Sequence, residues 1–298
     1  MRLKRIVFYP VESQDAEERM FRAGQLHIAT SVPLGRIDAY RRERPEVLRI
    51  SPFFGTMYLR ANVTRSALAD ARVRRALGLA IDREALTQRV LRGGKIPARA
   101  LTPPVDGFEP PAGFFHDPAA ARALLAEAGH EGGAGLPPLS MLYPTSQNGQ
   151  LVAEAIQEMW RVELGVEVRL RNQEWKVYLD SVNTLDYDLA ISIWAGDYAD
   201  PLSFLDLLVT DGGNNRTGFS DAEYDSLVRA ALDMPDDAER RQVYARLEAI
   251  IAREAPVVPI CHYASVELVH PAVRGWNPNI LDQHPWKHVW LEAAAGGE

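Results

Sequence analysis

The chain has 298 residues, of which 47% are hydrophobic and 24% are charged, and these proportions are typical of a globular protein. The formal net charge is −7 and charges of both signs are scattered along the chain, which argues against a nucleic-acid partner. No run of 18 apolar residues occurs, so the sequence predicts no membrane-spanning helix.

The N-terminal segment predicts a β-strand rather than an export signal. Its apolar stretch covers only Ile6 to Tyr9 before Pro10 interrupts it, which is too short for the apolar core of a signal peptide. We therefore expect no signal peptide in the chain as given. The single cysteine, Cys261, excludes an internal disulfide, and we expect it to be a buried structural residue whose neighbour His262 points to the opposite strand face.

Residues 71–81 predict a helix, because apolar side chains recur there with helical spacing at Val73, Leu77, Ala80 and Ile81. Asp82 is expected to cap a second helix, which Gly93 and Gly94 end. A connector rich in proline follows at residues 96–115, and its prolines predict an extended loop that lies across a surface.

A clear helix signal follows the connector, with Asp117 as the cap, Pro118 in the first turn and Gly129 at the end. Hydrophobic periodicity then predicts an alternation of three strands with two helices, in the order strand 136–144, helix 150–164, strand 166–173, helix 174–182 and strand 187–194. This order favours an α/β layer around a mainly parallel sheet, since parallel strands need crossovers that helices supply.

The C-terminal third predicts two more helices and a strand. Ser220 and Glu223 have the spacing of a capping box at the start of a helix. Residues 236–254 form a second helical pattern whose inward positions include Val243, Leu247 and Ile250, and residues 255–269 are typical of a strand.

The segment ISIWAGDYADP, from Ile191 to Pro201, carries the candidate site. It lies where a predicted parallel strand ends, and ligands of such sheets bind beyond the carboxyl ends of the strands. Gly196 permits a sharp turn there, and Asp197 with Trp194 and Tyr198 could hold a cation against flat apolar walls.

Structural interpretations of the same residues stay open at this point. Asp197 could be a turn or N-cap residue, Asp200 before Pro201 is better suited to capping, and Trp194 at a strand end is as compatible with core as with a pocket. The two aspartates could also act as paired carboxylates of a hydrolase, but no nucleophile or base is placed beside them, so we expect no catalytic residue and no enzyme.

Several segments together, in matching order, resemble the family 5 extracellular solute-binding proteins, most closely the oligopeptide-binding proteins of ABC importers. These segments are SPFFGTMYLRAN, DARVRRALGLAIDREAL, NQEWKVYLDSV, WAGDYADPLSFLDLLVTDGGNN, APVVPICHYASVELVHP and LDQHPWKHVWL. The resemblance covers almost the whole chain but corresponds only to the C-terminal part of a family member.

The resemblance implies a type II periplasmic-binding-protein fold whose two lobes close over a peptide and pass it to a membrane permease, in the periplasm or cell envelope. It assigns the peptide's α-ammonium group to Asp197 and a lining role to Trp194, beside Gly196 and Tyr198. It also gives Phe53 and Tyr58 pocket-lining or hinge positions, although on pattern alone these two aromatics are typical of strand core.

The resemblance also predicts the domain division. Residues 1–50 would belong to an incomplete first lobe, residues 51–266 would form the large α/β ligand-binding lobe, and residues 267–298 would return to the first lobe. Missing strand partners would leave an exposed lobe edge, which predicts self-association. The alternative function is therefore a truncated, non-transport fragment or an interaction module without ligand-binding activity.

Two departures from the family pattern concern the other end of the ligand. Basic residues that in known members meet the ligand's C-terminal carboxylate appear here as Val182 and Ile191.

No cofactor and no metal site are expected. His284 and His288 lie four residues apart, but Pro285 lies between them and no acidic residue takes the place it has in a metalloprotease motif.

Overall fold

The computed structural model describes residues 2–105, 107–235 and 238–292, with the backbone alone at Gln147. The chain forms two compact units, the first made of Met1–Phe53, Arg92–Lys95 and Tyr263–Glu298 and the second of Phe54–Leu91 and Ile96–His262. Two long strands, β2 (Leu48–Ala61) and β7 (Val257–Val269), contribute residues to both units. Among the helices that the structure describes, none combines the length and the apolar character needed to cross a membrane.

The first unit contains two helices and short strands around an apolar core. Its elements are α1 (Gln14–Arg22), β1 (Ile28–Ala29), α2 (Leu34–Glu43), β8 (Val273–Arg274) and β9 (Trp290–Leu291). β1 pairs antiparallel with the end of β7, and β8 pairs with β9. The buried core between the helices and β7 consists of Phe21, Ala29, Val32, Ile37, Tyr40, Val47 and Leu268.

The second unit is built on a mixed sheet with the strand order β7, β2, β6, β4, β5, in which β3 pairs with β7. Its remaining strands are β3 (Ile96–Pro97), β4 (Leu139–Pro144), β5 (Val168–Gln173) and β6 (Leu189–Ala195). β4 runs parallel to both β5 and β6, whereas β2 is antiparallel to β6. The predicted alternation of strands and helices over residues 136–194 is therefore confirmed.

Helices cover the sheet of the second unit, and most of them begin where the sequence predicts. They are α3 (Ala71–Leu79), α4 (Arg83–Ala85) with a following π-helical segment (Leu86–Leu91), α5 (Pro118–Glu127), α6 (Gln147–Leu164), α7 (Trp175–Asn183), α8 (Leu202–Leu205), α9 (Ala222–Asp233) and α10 (Ala238–Glu254). The predicted caps are confirmed, since Asp82 accepts a hydrogen bond from the Ala85 backbone and Asp117 accepts one from Ala120.

Two local predictions are wrong. Ile6 to Tyr9 is not a strand, and Phe8 instead stands edge-on against the Trp286 ring, with ring centroids 5.6 Å apart. The cap of α9 is Asp221, whose carboxylate accepts from the Tyr224 backbone at 2.9 Å. An aspartate competes well with a serine for a cap position, and the Ser220 hydroxyl is used instead in a hydrogen bond with a threonine.

The proline-rich connector is also not a surface loop, because its central part is buried. The backbone amides of Leu101 and Thr102 donate to the buried Glu248 carboxylate at 3.1 and 2.8 Å. The Leu101 carbonyl accepts from the Thr56 hydroxyl at 2.8 Å. Burial raises the pKa of Glu248, and the hydrogen bonds that it accepts oppose this shift. A single buried acid thus satisfies backbone groups that proline prevents from forming a helix or a ladder.

Candidate functional site

The candidate site lies at the carboxyl end of β6. β6 runs parallel to β4 and pairs along its other side with β2, in a register that places Trp194 opposite Thr56 and Ser192 opposite Tyr58. The chain leaves the sheet after Ala195, so Gly196, Asp197 and Tyr198 occupy the edge where open α/β sheets bind ligands.

Gly196 is required by space rather than by backbone conformation. Its amide donates to the Phe54 carbonyl at 2.8 Å, which brings the chain directly over the Phe54 ring. A Cβ atom at this position would lie 2.7 Å from Cε1 of Phe54 and 3.1 Å from Cε2 of Phe204. The sequence pattern predicts glycine for a sharp turn, whereas the structure uses it for close contact with two aromatic rings.

The Asp197 carboxylate has no partner among the described residues. The side chain is exposed, and no hydrogen bond or ion pair reaches its carboxylate from the residues that the structure describes. The residue does not cap a helix. Its own backbone amide donates to the Ser203 hydroxyl at 2.8 Å, and Ser203 is buried. The backbone of Asp197 is therefore fixed while its charge remains available.

Ser203 also fixes the tryptophan of the site. The Trp194 indole nitrogen donates to the Ser203 carbonyl at 2.6 Å, and the Trp194 ring is half-buried. Ser203 thus holds both Trp194 and Asp197, one through its carbonyl and the other through its hydroxyl. Sequence reasoning missed this residue, because a serine in the first turn of a helix is ordinary.

Asp200 has a structural role, as the sequence predicts. Its Oδ1 accepts from the Leu202 backbone and from the Tyr244 hydroxyl, both at 2.8 Å, and Oδ2 lies 3.2 Å from Arg240. These partners engage both oxygens of the Asp200 carboxylate, in contrast to the carboxylate of Asp197.

The Asp197 charge acts on two neighbouring side chains, Asp206 and Tyr198. Desolvation and the Asp197 charge raise the pKa of Asp206, which lies in the short helical turn after α8. Burial and the Asp206 charge likewise raise the pKa of Tyr198, which is 46% exposed. Asp200 and Asp197 also raise the pKa of Tyr198, and the Arg240 charge lowers it, so more acidic than basic groups act on this tyrosine.

Tyr58 does not line an open surface. It is buried, and its hydroxyl accepts from Nη2 of Arg60 at 2.7 Å. Arg60 is itself buried and donates further hydrogen bonds to the Ser192 hydroxyl at 2.9 Å and the Asn214 carbonyl at 3.2 Å. All of these acceptors are neutral. Phe53, the remaining predicted site residue, is half-buried in β2 and belongs to the first unit.

The surroundings of Arg60 are positively charged. Burial raises the pKa of Tyr58, Tyr178 and Tyr187, and the charges of Arg60 and Arg216 oppose that shift in each tyrosine. Within the part of the chain that the structure describes, no carboxylate forms an ion pair with Arg60. Sequence reasoning missed Arg60 because a lone arginine in a strand has no local signature.

The chain matches the family described as "Bacterial extracellular solute-binding proteins, family 5 Middle" over residues 1–216. It belongs to this family. The family and the relatives named below are solute-binding proteins, not enzymes. The mixed α/β fold of the chain is of the type II periplasmic-binding-protein class.

The relatives include peptide-binding proteins of bacteria. The periplasmic murein peptide-binding protein MppA of Escherichia coli is 35% identical over 93% of this chain and 53% of its own length, and the periplasmic oligopeptide-binding protein OppA of Salmonella typhimurium is 32% identical over 92% and 52%. The solved structure of the E. coli murein tripeptide-binding protein superposes with a TM-score of 0.85 at 34% identity, covering 93% of this chain and 56% of that one. The chain thus spans about half the length of the relatives it matches.

Proposed function

We propose that the chain is the ligand-contacting part of the substrate-binding component of an ABC peptide importer. Residues 51–266 form its ligand-binding lobe, while residues 1–50 and 267–298 belong to the other lobe. In this proposal Asp197 accepts the peptide's α-ammonium group, the site of action is the periplasm or cell envelope, and the complex delivers its peptide to a membrane permease.

The observation that carries the proposal is the Asp197 carboxylate, exposed and without a partner among the described residues, at the carboxyl end of β6. An ammonium group has three donors and no acceptor, so a fixed carboxylate forms charge-assisted hydrogen bonds with it. The hydrogen bond from the Asp197 amide to Ser203 supports this role, because a backbone that is already held loses little entropy when the ligand binds.

The neighbouring side chains favour the same ligand. Trp194 is held by its indole nitrogen and offers a ring face as a wall, and Tyr198 offers a second exposed aromatic ring. Cation–π contact contributes about 0.5–2 kcal/mol, depending on desolvation. The Asp197 charge raises the pKa of Asp206, and an ammonium group bound at Asp197 would relieve this repulsion between the two carboxylates.

Arg60 supports a ligand that carries a carboxylate as well. Arg60 lies opposite Ala190 in the strand pairing, and Ala190 belongs to the same buried cluster as Val182, one of the positions where a basic residue is replaced. Position 182 has no basic side chain in this chain, but Arg60 of β2 supplies one on the same face of the sheet. Since its hydrogen-bond partners are neutral, Arg60 retains a full charge to offer a ligand carboxylate.

The test is a titration of the purified chain with trialanine, followed by tryptophan fluorescence. We expect wild type to bind and Asp197→Asn to bind about 10- to 150-fold more weakly, from the 1.5–3 kcal/mol of a hydrogen bond to a charged group. Asp180→Asn is the matched control, since Asp180 is an exposed aspartate of the same unit and its loss changes the net charge equally. The control should bind like wild type.

Two results would contradict the proposal. No fluorescence change with any short peptide would favour the alternative of a non-transport fragment or interaction module. Equal weakening by Asp197→Asn and Asp180→Asn would show that net charge, not a specific contact, governs binding.

The contact with Arg60 is tested by comparing trialanine with its C-terminal amide on wild type and on Arg60→Gln. The amide should bind more weakly than trialanine to wild type, and the two peptides should bind Arg60→Gln equally. Self-association through a sheet edge stays a prediction that light scattering checks.

A further inference from the structure

Three side chains of the types that bind metal ions converge in the first unit. Glu267 lies near the end of β7, and Asp282 and His284 lie in the segment between β8 and β9. One ligand atom from each of the three lies within 4.8 Å of the other two. No other group of three or more such side chains with this spacing occurs among residues 2–105, 107–235 and 238–292.

A single tryptophan orients two of the three side chains. The Trp276 ring stacks on the His284 imidazole, with centroids 3.8 Å apart and an angle of 18° between the planes. The indole nitrogen of the same ring donates to Oε2 of Glu267 at 2.8 Å. Partners of this kind, which fix the rotamers of metal ligands without contacting the metal, are typical of metal sites.

The third side chain is positioned by its own turn. Asp282 has a φ of 53°, and Asn279 closes the turn around it by accepting from the Asp282 amide at 3.0 Å and by exchanging hydrogen bonds with Gln283. Oδ1 of Asp282 then lies 3.0 Å from Nε2 of His284. The turn therefore presents a carboxylate oxygen and an imidazole nitrogen side by side.

The charges in this cluster are not balanced by the protein. Glu267 is only 4% exposed, and among the described residues its carboxylate has one neutral donor, the Trp276 indole, and no lysine or arginine partner. Within the part of the chain that the structure describes, the buried Glu267 carboxylate thus has no cationic side chain beside it other than the His284 imidazole, whereas buried charges in proteins are normally paired or bound to a metal.

We propose that Glu267, Asp282 and His284 form a binding site for a divalent transition-metal ion, with Zn²⁺ the best match. One imidazole nitrogen with two carboxylate oxygens is a ligand set that zinc accepts in tetrahedral geometry, with water in the fourth position. Mg²⁺ and Ca²⁺ prefer oxygen ligands alone. Zinc bonds of about 2.0–2.2 Å place ligand atoms roughly 3.4 Å apart, so binding needs the three ligand atoms, which lie within 4.8 Å of one another, to approach by no more than about 1.4 Å.

The experiment uses the full chain, freed of metal with a chelator and titrated with Zn²⁺ against a fluorescent zinc indicator. We expect one equivalent to bind to wild type and to raise its midpoint of thermal unfolding. Trp276→Phe keeps a stacked ring but loses the hydrogen bond to Glu267, and it should weaken zinc binding about 10- to 100-fold. His284→Gln should weaken binding more than Trp276→Phe, and the same titration with Mg²⁺ should show no binding.

The matched control is His288→Gln, because His288 is an exposed histidine four residues further along the same segment. This variant should bind zinc like wild type. Circular dichroism of each metal-free variant checks folding, and Asp282→Asn, at an exposed position, replaces His284→Gln if that variant does not fold. The proposal is overturned if wild type binds no zinc, or if His288→Gln loses as much affinity as the variants at the three proposed ligands. It is independent of peptide binding, and either can fail alone.

Discussion

Substitution of Gly196 by alanine would test whether close aromatic packing fixes the turn that carries Asp197. The added Cβ would overlap Cδ1 of Phe54 and would lie 2.7 Å from Cε1 of the same ring and 3.1 Å from Cε2 of Phe204, well inside van der Waals contact. Neither ring can move aside freely, because both are buried and they pack edge to face with centroids 4.8 Å apart. Overpacking of this kind costs about 1–3 kcal/mol, and we expect Gly196→Ala to lower the free energy of unfolding by that amount.

The assay is urea denaturation of wild type, Gly196→Ala and the matched control Gly213→Ala. A Cβ atom added at Gly213 would meet no neighbouring atom within 4 Å, and the φ of this glycine is not positive, so alanine there should be neutral. Adding Phe54→Leu to Gly196→Ala should recover part of the loss, because the smaller side chain leaves room for the Cβ. The packing explanation is wrong if Gly196→Ala is as stable as Gly213→Ala. It is also wrong if the double variant loses as much free energy of unfolding as Gly196→Ala and Phe54→Leu lose separately.

Two further predictions concern stability. Burial lowers the pKa of His262 to about 4, below the 6.5 of an unfolded chain, so the unfolded state binds the proton first and stability falls by about 3 kcal/mol as the pH falls from 6.5 to 4. The urea midpoint of wild type should therefore decrease across this range, and the midpoint of His262→Asn should decrease less. An identical dependence on pH in both proteins would refute the assignment. Asp200→Ala removes the acceptor of the Leu202 amide and the partner of the Tyr244 hydroxyl, and should lower stability by about 1–3 kcal/mol. It should leave the preference for peptides with a free amino group unchanged, and a loss of that preference in a folded Asp200→Ala would contradict the separation of Asp200 from Asp197.

Local chemistry makes much of the fold predictable. The caps at Asp82 and Asp117 and the helix over residues 147–164 depend on residues close in sequence, so their patterns identify them. The alternation of strands and helices likewise predicts the parallel part of the sheet around β4. The cap of α9 lies one residue beyond the predicted Ser220, because serine and aspartate compete for the same hydrogen bond.

The features that local patterns do not predict depend on residues distant in sequence. The hydrogen bonds of Arg60 with Ser192 and Asn214 join positions 132 and 154 residues apart. The proline-rich connector is buried because Glu248 lies far along the chain and accepts its amides. The spacing of four residues along the chain suggests His284 and His288 as partners, whereas in the structure His284 lies beside Glu267 and Asp282. Such partners become visible only when the chain is folded.

The most direct test of the central claim compares trialanine with N-acetyl-trialanine on wild type and on Asp197→Asn. Acetylation removes the ammonium charge and leaves the rest of the peptide unchanged. If Asp197 holds the ammonium group, acetylation should weaken binding to wild type by about 10- to 150-fold and should have little effect on Asp197→Asn, since the contact is already lost. Equal affinity of wild type for the free and acetylated peptides, or an equal effect of acetylation on both proteins, would contradict the account.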